Sequence, residues 1–274
     1  MESRPPINVE QAYKTPDLIA VLLSGGVDST TVLHMANEIA DQKEVPLHTI
    51  SFNYGQRHRK EIEAAAAISE DLDCTHHVLD LLGVIPRTML TDVGQAVPNV
   101  SYADIKGVSP TYVPFRNGLM LAAATAHVLG VLDREFDSEA FGREGVAHLY
   151  CGIHSDDAAG FAYPDCTPEW FGSMANAIFT GTYGRVRLVA PALFLTKAQI
   201  VSEGEELGVD WAATWSCYKG EELHCGVCPT CIARQEAFAT AGVDDPTAYA
   251  SIPDSGTEGW NGDEDDAEGY DPNS

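Results

Sequence analysis

Residues 18–23 (LIAVLL) form a short unbroken apolar run that ends in Ser-Gly-Gly, the pattern of a buried parallel strand opening into a loop. Helical spacing follows over 28–41, where Val32, Leu33, Met35, Ala36, Ile39 and Ala40 recur on one side. The pattern then predicts a strand at 47–52, an Ala- and Glu-rich helix at 59–72 and a strand at 75–79. Further on it predicts a strongly apolar helix at 117–129, a strand at 147–153 and a helix at 168–179. A strand or extended segment is expected at 188–194, and a helix capped by Thr196 at 196–207. Strand and helix alternate, so the expected fold is α/β, a doubly wound parallel sheet with helices on both faces. The stretch 133–145 (DREFDSEAFGREG) reads as a charged surface insertion, and 1–17, with Pro5, Pro6 and Pro16, as an extended arm.

The segment Ser24, Gly25, Gly26, Val27, Asp28, Ser29 joins the first strand to the first helix. Glycines there let the backbone approach an anion. Free N–H groups and the positive end of the helix face that anion, and Ser24, Ser29 and Thr30 add hydroxyl donors. The loop therefore reads as a pyrophosphate cradle. It is not a Walker A loop, since both the G-x-x-x-x-G-K spacing and the lysine are missing. A plain glycine turn with Asp28 near the helix cap is the bland alternative, which the position after a buried strand disfavours.

Cys217, Cys225, Cys228 and Cys231 form C-x7-C-x2-C-x2-C. Four thiolates on tight turns can close a tetrahedral zinc site with no open position, which makes the expected role structural. An iron–sulfur cluster is the rival, although the C-x3-C-P that completes ferredoxin runs is absent. His224 could replace one ligand but is expected to be a bystander.

Composition narrows the partners. With 16 basic against 41 acidic residues the formal charge is −25, which opposes nucleic-acid binding. Lysine is scarce, 6 against 10 arginines, and acids abound, so the surface reads as one adapted to molar salt, where the charge is screened within about 3 Å. The tail over 254–274 holds eight acids and no bases and is expected to be disordered. The longest apolar stretch, 118–132, is interrupted by Thr125 and His127, so no membrane span is expected. The start MESRPP has no signal core, and seven cysteines without one point to a cytosolic chain with free thiols rather than disulfides.

The loop alone resembles the PP-loop ATP pyrophosphatase superfamily. Together with FNYGQRH (52–58), YVPFRN (112–117), YPDC (163–166) and TWSCY (214–218), it makes the chain from Leu18 to about Tyr249 similar to the 7-cyano-7-deazaguanine synthase family. Two departures are Phe115, where many members carry glycine, and the long 133–145 insertion. The resemblance implies a carbon–nitrogen ligase that turns 7-carboxy-7-deazaguanine, ammonia and ATP into the nitrile used for queuosine and archaeosine. It implies a homodimer, magnesium with ATP, and one structural zinc on Cys217, Cys225, Cys228 and Cys231. It assigns ATP to Leu23, Ser24, Gly25, Gly26, Val27, Asp28, Ser29, Thr30, Thr31, Val32 and Leu33, and catalysis to Asp28, Arg116 and Lys197. Arg57, His58, Tyr163 and Asp165 become candidates for the substrate. The implied organisation is an arm over 1–17, a nucleotide-binding domain over 18–195, a helical zinc-binding region over 196–250 and a tail over 251–274. Two rivals remain: a tRNA thiolase, which would use Cys166 as sulfur carrier, and a zinc-ribbon interaction module on a dead nucleotide fold.

Overall fold

In the computed structural model, residues 15–57, 59–92, 94–105, 108–136, 145–154, 156–158 and 162–250 are described. His58, most of the arm, residues 137–144 of the insertion and the whole acidic tail lie outside the described residues.

Five strands, β1 (Leu18–Leu22), β2 (Leu47–Asn53), β3 (Thr75–Asp80), β4 (Ala147–Tyr150) and β5 (Val186–Val189), form one sheet in the order β3-β2-β1-β4-β5. Every pairing is parallel; Ile19 lies opposite Leu47 on one side, and Leu18 opposite Ala147 on the other. The chain winds outward from β1 in both directions, so the order reverses between β1 and β4. A crevice opens there, beyond the carboxyl ends of the strands.

The six α-helices among the described residues are α1 (Val27–Lys43), α2 (Lys60–Asp71), α3 (Arg116–Glu135), α4 (Pro168–Gly181), α5 (Lys197–Glu206) and α6 (Pro229–Ala241). Because side chains alternate along a strand, β1 feeds two cores. Leu18 and Ala20 face Leu121, Ala124, Val128 and Leu132 of α3 and Ile178 of α4. Ile19 and Val21 face Val32, Leu33 and Ala36 of α1, Ala65 and Ile68 of α2, Ile200 and Val201 of α5, and Phe238 of α6. Each large aliphatic side chain buried this way contributes roughly 1.5–3 kcal/mol. The expected doubly wound parallel sheet is thus the observed one. No helix among the described residues is long and apolar enough to cross a membrane.

Several boundaries depart from the sequence pattern. β4 stops at Tyr150 rather than 153, because the chain must pass tightly over α1; a Cβ at Gly152 would stand 3.1 Å from both Cα and N of Ser29. β5 begins two residues earlier than expected and ends at Val189; Pro191, lacking an N–H, opens a turn in which Leu195 N–H reaches Ala192 O at 2.9 Å. The helix expected at 117–129 starts at Arg116 and runs on to Glu135. The Thr196 cap is present as a full capping box with Gln199.

The helix α6 falls within the expected helical zinc-binding region, 196–250, but the sequence pattern does not mark it individually. Its amphipathic pattern is broken by Arg234, which is 1% exposed and fills the centre of the packing. The guanidinium donates to both oxygens of Asp245, at 3.0 to 3.2 Å, to Trp211 O at 3.1 Å and to Thr214 Oγ1 at 2.7 Å. Every bond ties residues 211–216 and 245 to α6, and a charge so buried is stable only when paired in this way.

Histidines give the fold a pH dependence. His48 and His77 are hydrogen-bonded at 3.1 Å, and the His77 and His127 rings lie 4.5 Å apart. Burial pushes all three below the ordinary imidazole value, and burial beside Arg187 pushes His148 down to about 4. The unfolded chain takes up protons from about pH 6.5 downward while these folded side chains resist, so their stabilisation is full above pH 6.5 and is lost as pH falls toward 4. We expect Tm at fixed salt to drop between pH 7.5 and pH 5. An unchanged Tm would show that the cluster titrates as in the open chain.

Candidate active site

The crevice at the switch point is a cavity of about 260 Å³ whose floor is the loop after β1. Gly25 takes φ +77°, and a Cβ on it would lie 2.6 Å from Glu61 O and 2.8 Å from Ala65 N, so only glycine fits against α2. Gly26 caps α1 in extended conformation with no side chain over the helix end, which leaves the first N–H groups of α1 toward the crevice. Ser29 Oγ lies 3.0 Å from Ser24 Oγ and accepts from Ser24 N at 3.2 Å, which holds the loop in its bend.

Ser24, Gly26, Val27, Asp28 and Ser29 line the cavity together with Leu23. Thr30 to Leu33 point elsewhere. Thr31 Oγ1 donates to Ile200 O at 3.4 Å, and Val32 and Leu33 are fully buried among α1, α5 and α6. Of the eleven residues expected around ATP, the structure therefore brings the loop to the crevice and leaves the helix interior in the core.

Asp28 is the electrostatic centre. Lys197 Nζ lies 3.2 Å from its Oδ2, and His154 Nε2 3.7 Å from the same oxygen and 3.4 Å from Asp157 Oδ2. Burial alone would raise the Asp28 carboxyl, yet the Lys197 ammonium and the His154 ring drive it well below the carboxylate range. Lys197 is pushed above its ordinary value, because Asp28 and Asp157 outweigh its desolvation. The lysine is positioned by the start of α5, where its N–H donates to Asp156 Oδ2 at 2.8 Å. Asp28 Oδ1 is buried and has no hydrogen-bond partner among the described residues, an orphan that suits a hard cation. His154 and Asp157 were missed by sequence reasoning, as no motif marks them.

The opposite wall carries the other charge. Arg116 opens α3, and its Nη1 lies 3.5 Å from Tyr54 Oη. Phe115, just before it, has φ 54°, a left-handed conformation that costs a residue with a side chain roughly 1–2 kcal/mol. The Phe115 ring lies over Gly118, where a Cβ would come within 2.4 Å of it, and stands edge-on to Trp170 at 6.4 Å. Asp165 Oδ2 accepts the Asn117 N–H at 3.2 Å and so caps α3 behind Arg116.

Tyr163 lines the cavity with its hydroxyl 3.0 Å from Ser109 Oγ and 2.5 Å from Thr111 Oγ1. Tyr102 and Tyr112 have ring centroids 6.0 and 6.4 Å from it, which makes an aromatic wall suited to a flat heterocycle. The structure does not bring Arg57 to this cavity; its Nη1 donates to Gln95 O at 2.7 Å. Cys166 does line the cavity, but burial pushes its thiol far up, opposite to what a sulfur-carrying thiolate needs.

Beside the crevice, Sγ atoms of Cys217, Cys225, Cys228 and Cys231 all lie within 4.8 Å of one another and are buried. A single ion about 2.3 Å from each sulfur fits that spacing, and the cluster could hold zinc. Amide N–H groups of Cys225 and Cys228 point at Cys217 Sγ and Cys225 Sγ at 3.4 and 3.3 Å, as thiolates require. His224 stands outside the set, its Nε2 accepting the Ser216 N–H at 3.0 Å. Trp215 links centre to loop, since its N–H donates to Gly25 O at 2.8 Å, and Trp215, Ser216, Tyr218 and Thr230 line the cavity.

Fold and site together define a doubly wound α/β protein with a glycine loop at the switch point and a four-cysteine cluster beside it. The family model described as "Queuosine biosynthesis protein QueC" matches residues 19–242, and the chain belongs to that family. It is 41% identical over 235 residues to the 7-cyano-7-deazaguanine synthase of Rhizobium johnstonii, covering 84% of this chain and 90% of the relative. The synthase of Paracoccus denitrificans is 42% identical over 235 residues, covering 84% and 91%. Among solved structures, a U34-tRNA thiolase from Methanococcus maripaludis with its [4Fe-4S] cluster aligns with TM-score 0.41 at 16% identity, covering 74% of this chain and 65% of that one.

Proposed function

We propose that this chain is a 7-cyano-7-deazaguanine synthase, an ATP-dependent carbon–nitrogen ligase that converts 7-carboxy-7-deazaguanine and ammonia into the nitrile. The observation that carries the proposal is the convergence of the glycine loop, the Asp28–Lys197 pair, Arg116 and the tyrosine wall on one cavity.

A carboxylate resists attack by an amine because its oxygen is a poor leaving group. In the proposed reaction a carboxylate oxygen attacks the α-phosphorus of ATP, the bond to pyrophosphate breaks, and pyrophosphate stays on the N–H groups of the loop and the start of α1. Lys197 and Arg116 offset the charge that builds on the transferring phosphorus. Asp28, through its unpartnered Oδ1, would hold the magnesium that arrives with ATP and neutralises phosphate charge. Ammonia then displaces AMP and loses one proton to give the amide. A second ATP activates the amide oxygen, and loss of AMP and the remaining N–H protons leaves the carbon–nitrogen triple bond. The tyrosine wall holds the flat base so that each attack is made at fixed geometry.

Incubation with 7-carboxy-7-deazaguanine, ammonium, ATP and magnesium in molar KCl, followed by mass spectrometry, tests this reading. The expected result is nitrile together with two AMP per product, one for each oxygen removed. AMP without nitrile would overturn the nitrile-forming step, and no AMP from a folded, zinc-loaded chain would overturn the whole proposal.

A further inference from the structure

Four acidic side chains line the cavity, and three of them are engaged. Asp28 faces Lys197 and His154, Asp157 faces the same ring, and Asp165 accepts an N–H from the start of α3. Glu61 is different. It sits on the first turn of α2, half-buried, and its carboxyl makes no hydrogen bond or ion pair among the described residues. A carboxyl that faces a cleft and meets no protein donor is a place where a ligand supplies the N–H bonds in exchange for water.

The surroundings say which kind of ligand. Glu61 and Arg116 both line the cavity; burial pushes the Glu61 carboxyl up to about 7 and the Arg116 guanidinium opposes that rise, so this wall carries an acid and a cation. Tyr102, Tyr112 and Tyr163 provide the ring faces. A 7-deazaguanine bearing a carboxylate is flat, anionic at one edge, and presents two parallel N–H donors, N1–H and the 2-amino group, at the other. Two parallel donors match the two oxygens of a carboxylate, whereas adenine offers one donor beside one acceptor.

Resting on the synthase reading above, we propose that Glu61 reads the base: its carboxylate accepts the N1–H and 2-amino hydrogens of the 7-deazaguanine and selects it over bases that lack the amino group. Asp165 has one oxygen engaged by the Asn117 N–H at the start of α3.

Calorimetric titration of the native chain with 7-carboxy-7-deazaguanine and with its analogue lacking the 2-amino group is the test, with Glu61→Gln and Glu61→Asp measured beside it. Native protein is expected to bind the analogue about 10- to 100-fold more weakly, the effect of one hydrogen bond to a charged group. Glu61→Gln should lose most of that discrimination while keeping its zinc content and ATP affinity, and Glu61→Asp, shorter by one methylene, should fall between. Equal affinity of the native chain for both bases overturns the assignment without reference to any variant. So does a Glu61→Gln protein that discriminates as the native chain does, or one that loses affinity for ATP instead of the base. Failure of the native chain to bind 7-carboxy-7-deazaguanine at all overturns the synthase reading and this assignment with it.

Discussion

Replacing Cys228 with serine is expected to strip metal from the four-cysteine centre and, with it, to abolish turnover. A structural zinc site contributes on the order of 10–16 kcal/mol of apparent binding energy, and removing one of four thiolates takes away a large share of it. That energy has a specific use in this chain. Cys228 caps α6 and Cys231 lies in its first turn, while Cys217 follows the segment whose Trp215 N–H is bonded to Gly25 O. Among the described residues, the four cysteines and Val97 are the buried residues of the small core at this end. Without the ion nothing joins Cys217 to Cys225, Cys228 and Cys231, and although Trp215 and Ser216 keep their bonds to Gly25 O and His224, Tyr218 and Thr230 lose the brace that sets them in the wall of the cavity. Since misplacing a site by about 1 Å can cost 10²-fold, turnover should fall by at least about that factor. Limited proteolysis should cut the loop in Cys228→Ser and spare it in the native chain, and metal analysis should find zinc only in the latter. A variant that retains protease resistance and turnover would show that the centre does not brace the site.

The same region shows what the sequence could and could not reveal. The β1 strand, the glycine loop, α1 and the parallel alternation were legible because their apolar periods are clean and buried on both faces. The four cysteines were legible because thiolate spacing is local. The helix α6 was not, since Cys231 and Arg234 occupy inward positions that a polarity pattern assigns to solvent. Its ends could have been found: Pro229 stands in the first turn and Gly242, at φ 70°, closes the helix. Gly152, His154 and Asp157 belong to the site through the irregular stretch that follows β4, and irregular backbone leaves no periodic trace in sequence. Phe115 looked like an arbitrary departure in the sequence. In the structure it holds a backbone conformation suited to glycine, with Gly118 making room for the ring. Glu61 reads in sequence as an ordinary acid near a helix start, and only the empty space before it gives it chemistry.

Lys197→Met is expected to lower kcat/KM by about 10²–10³-fold while the fold is kept, the usual cost of removing one group that stabilises transition-state charge. The geometry supports an effect on chemistry rather than on folding. Lys197 Nζ is held 3.2 Å from Asp28 Oδ2 at the edge of the cavity, one-fifth of the side chain remains accessible, and α5 keeps its Thr196–Gln199 capping box whatever stands at 197. Methionine retains the length and most of the apolar stem, so the packing loss is small. The split between constants then reports the role. A lysine that only anchors phosphate in the ground state would raise KM for ATP with kcat little changed, whereas one that meets charge developing on the transferred phosphorus would lower kcat. Because Asp28 and Asp157 hold the ammonium protonated far above neutral pH, the native rate should show no basic limb from this residue. Lys197→Arg should recover part of kcat, since it restores the charge but not the compact geometry of an ammonium. Turnover close to native in Lys197→Met would remove the residue from the proposed reaction.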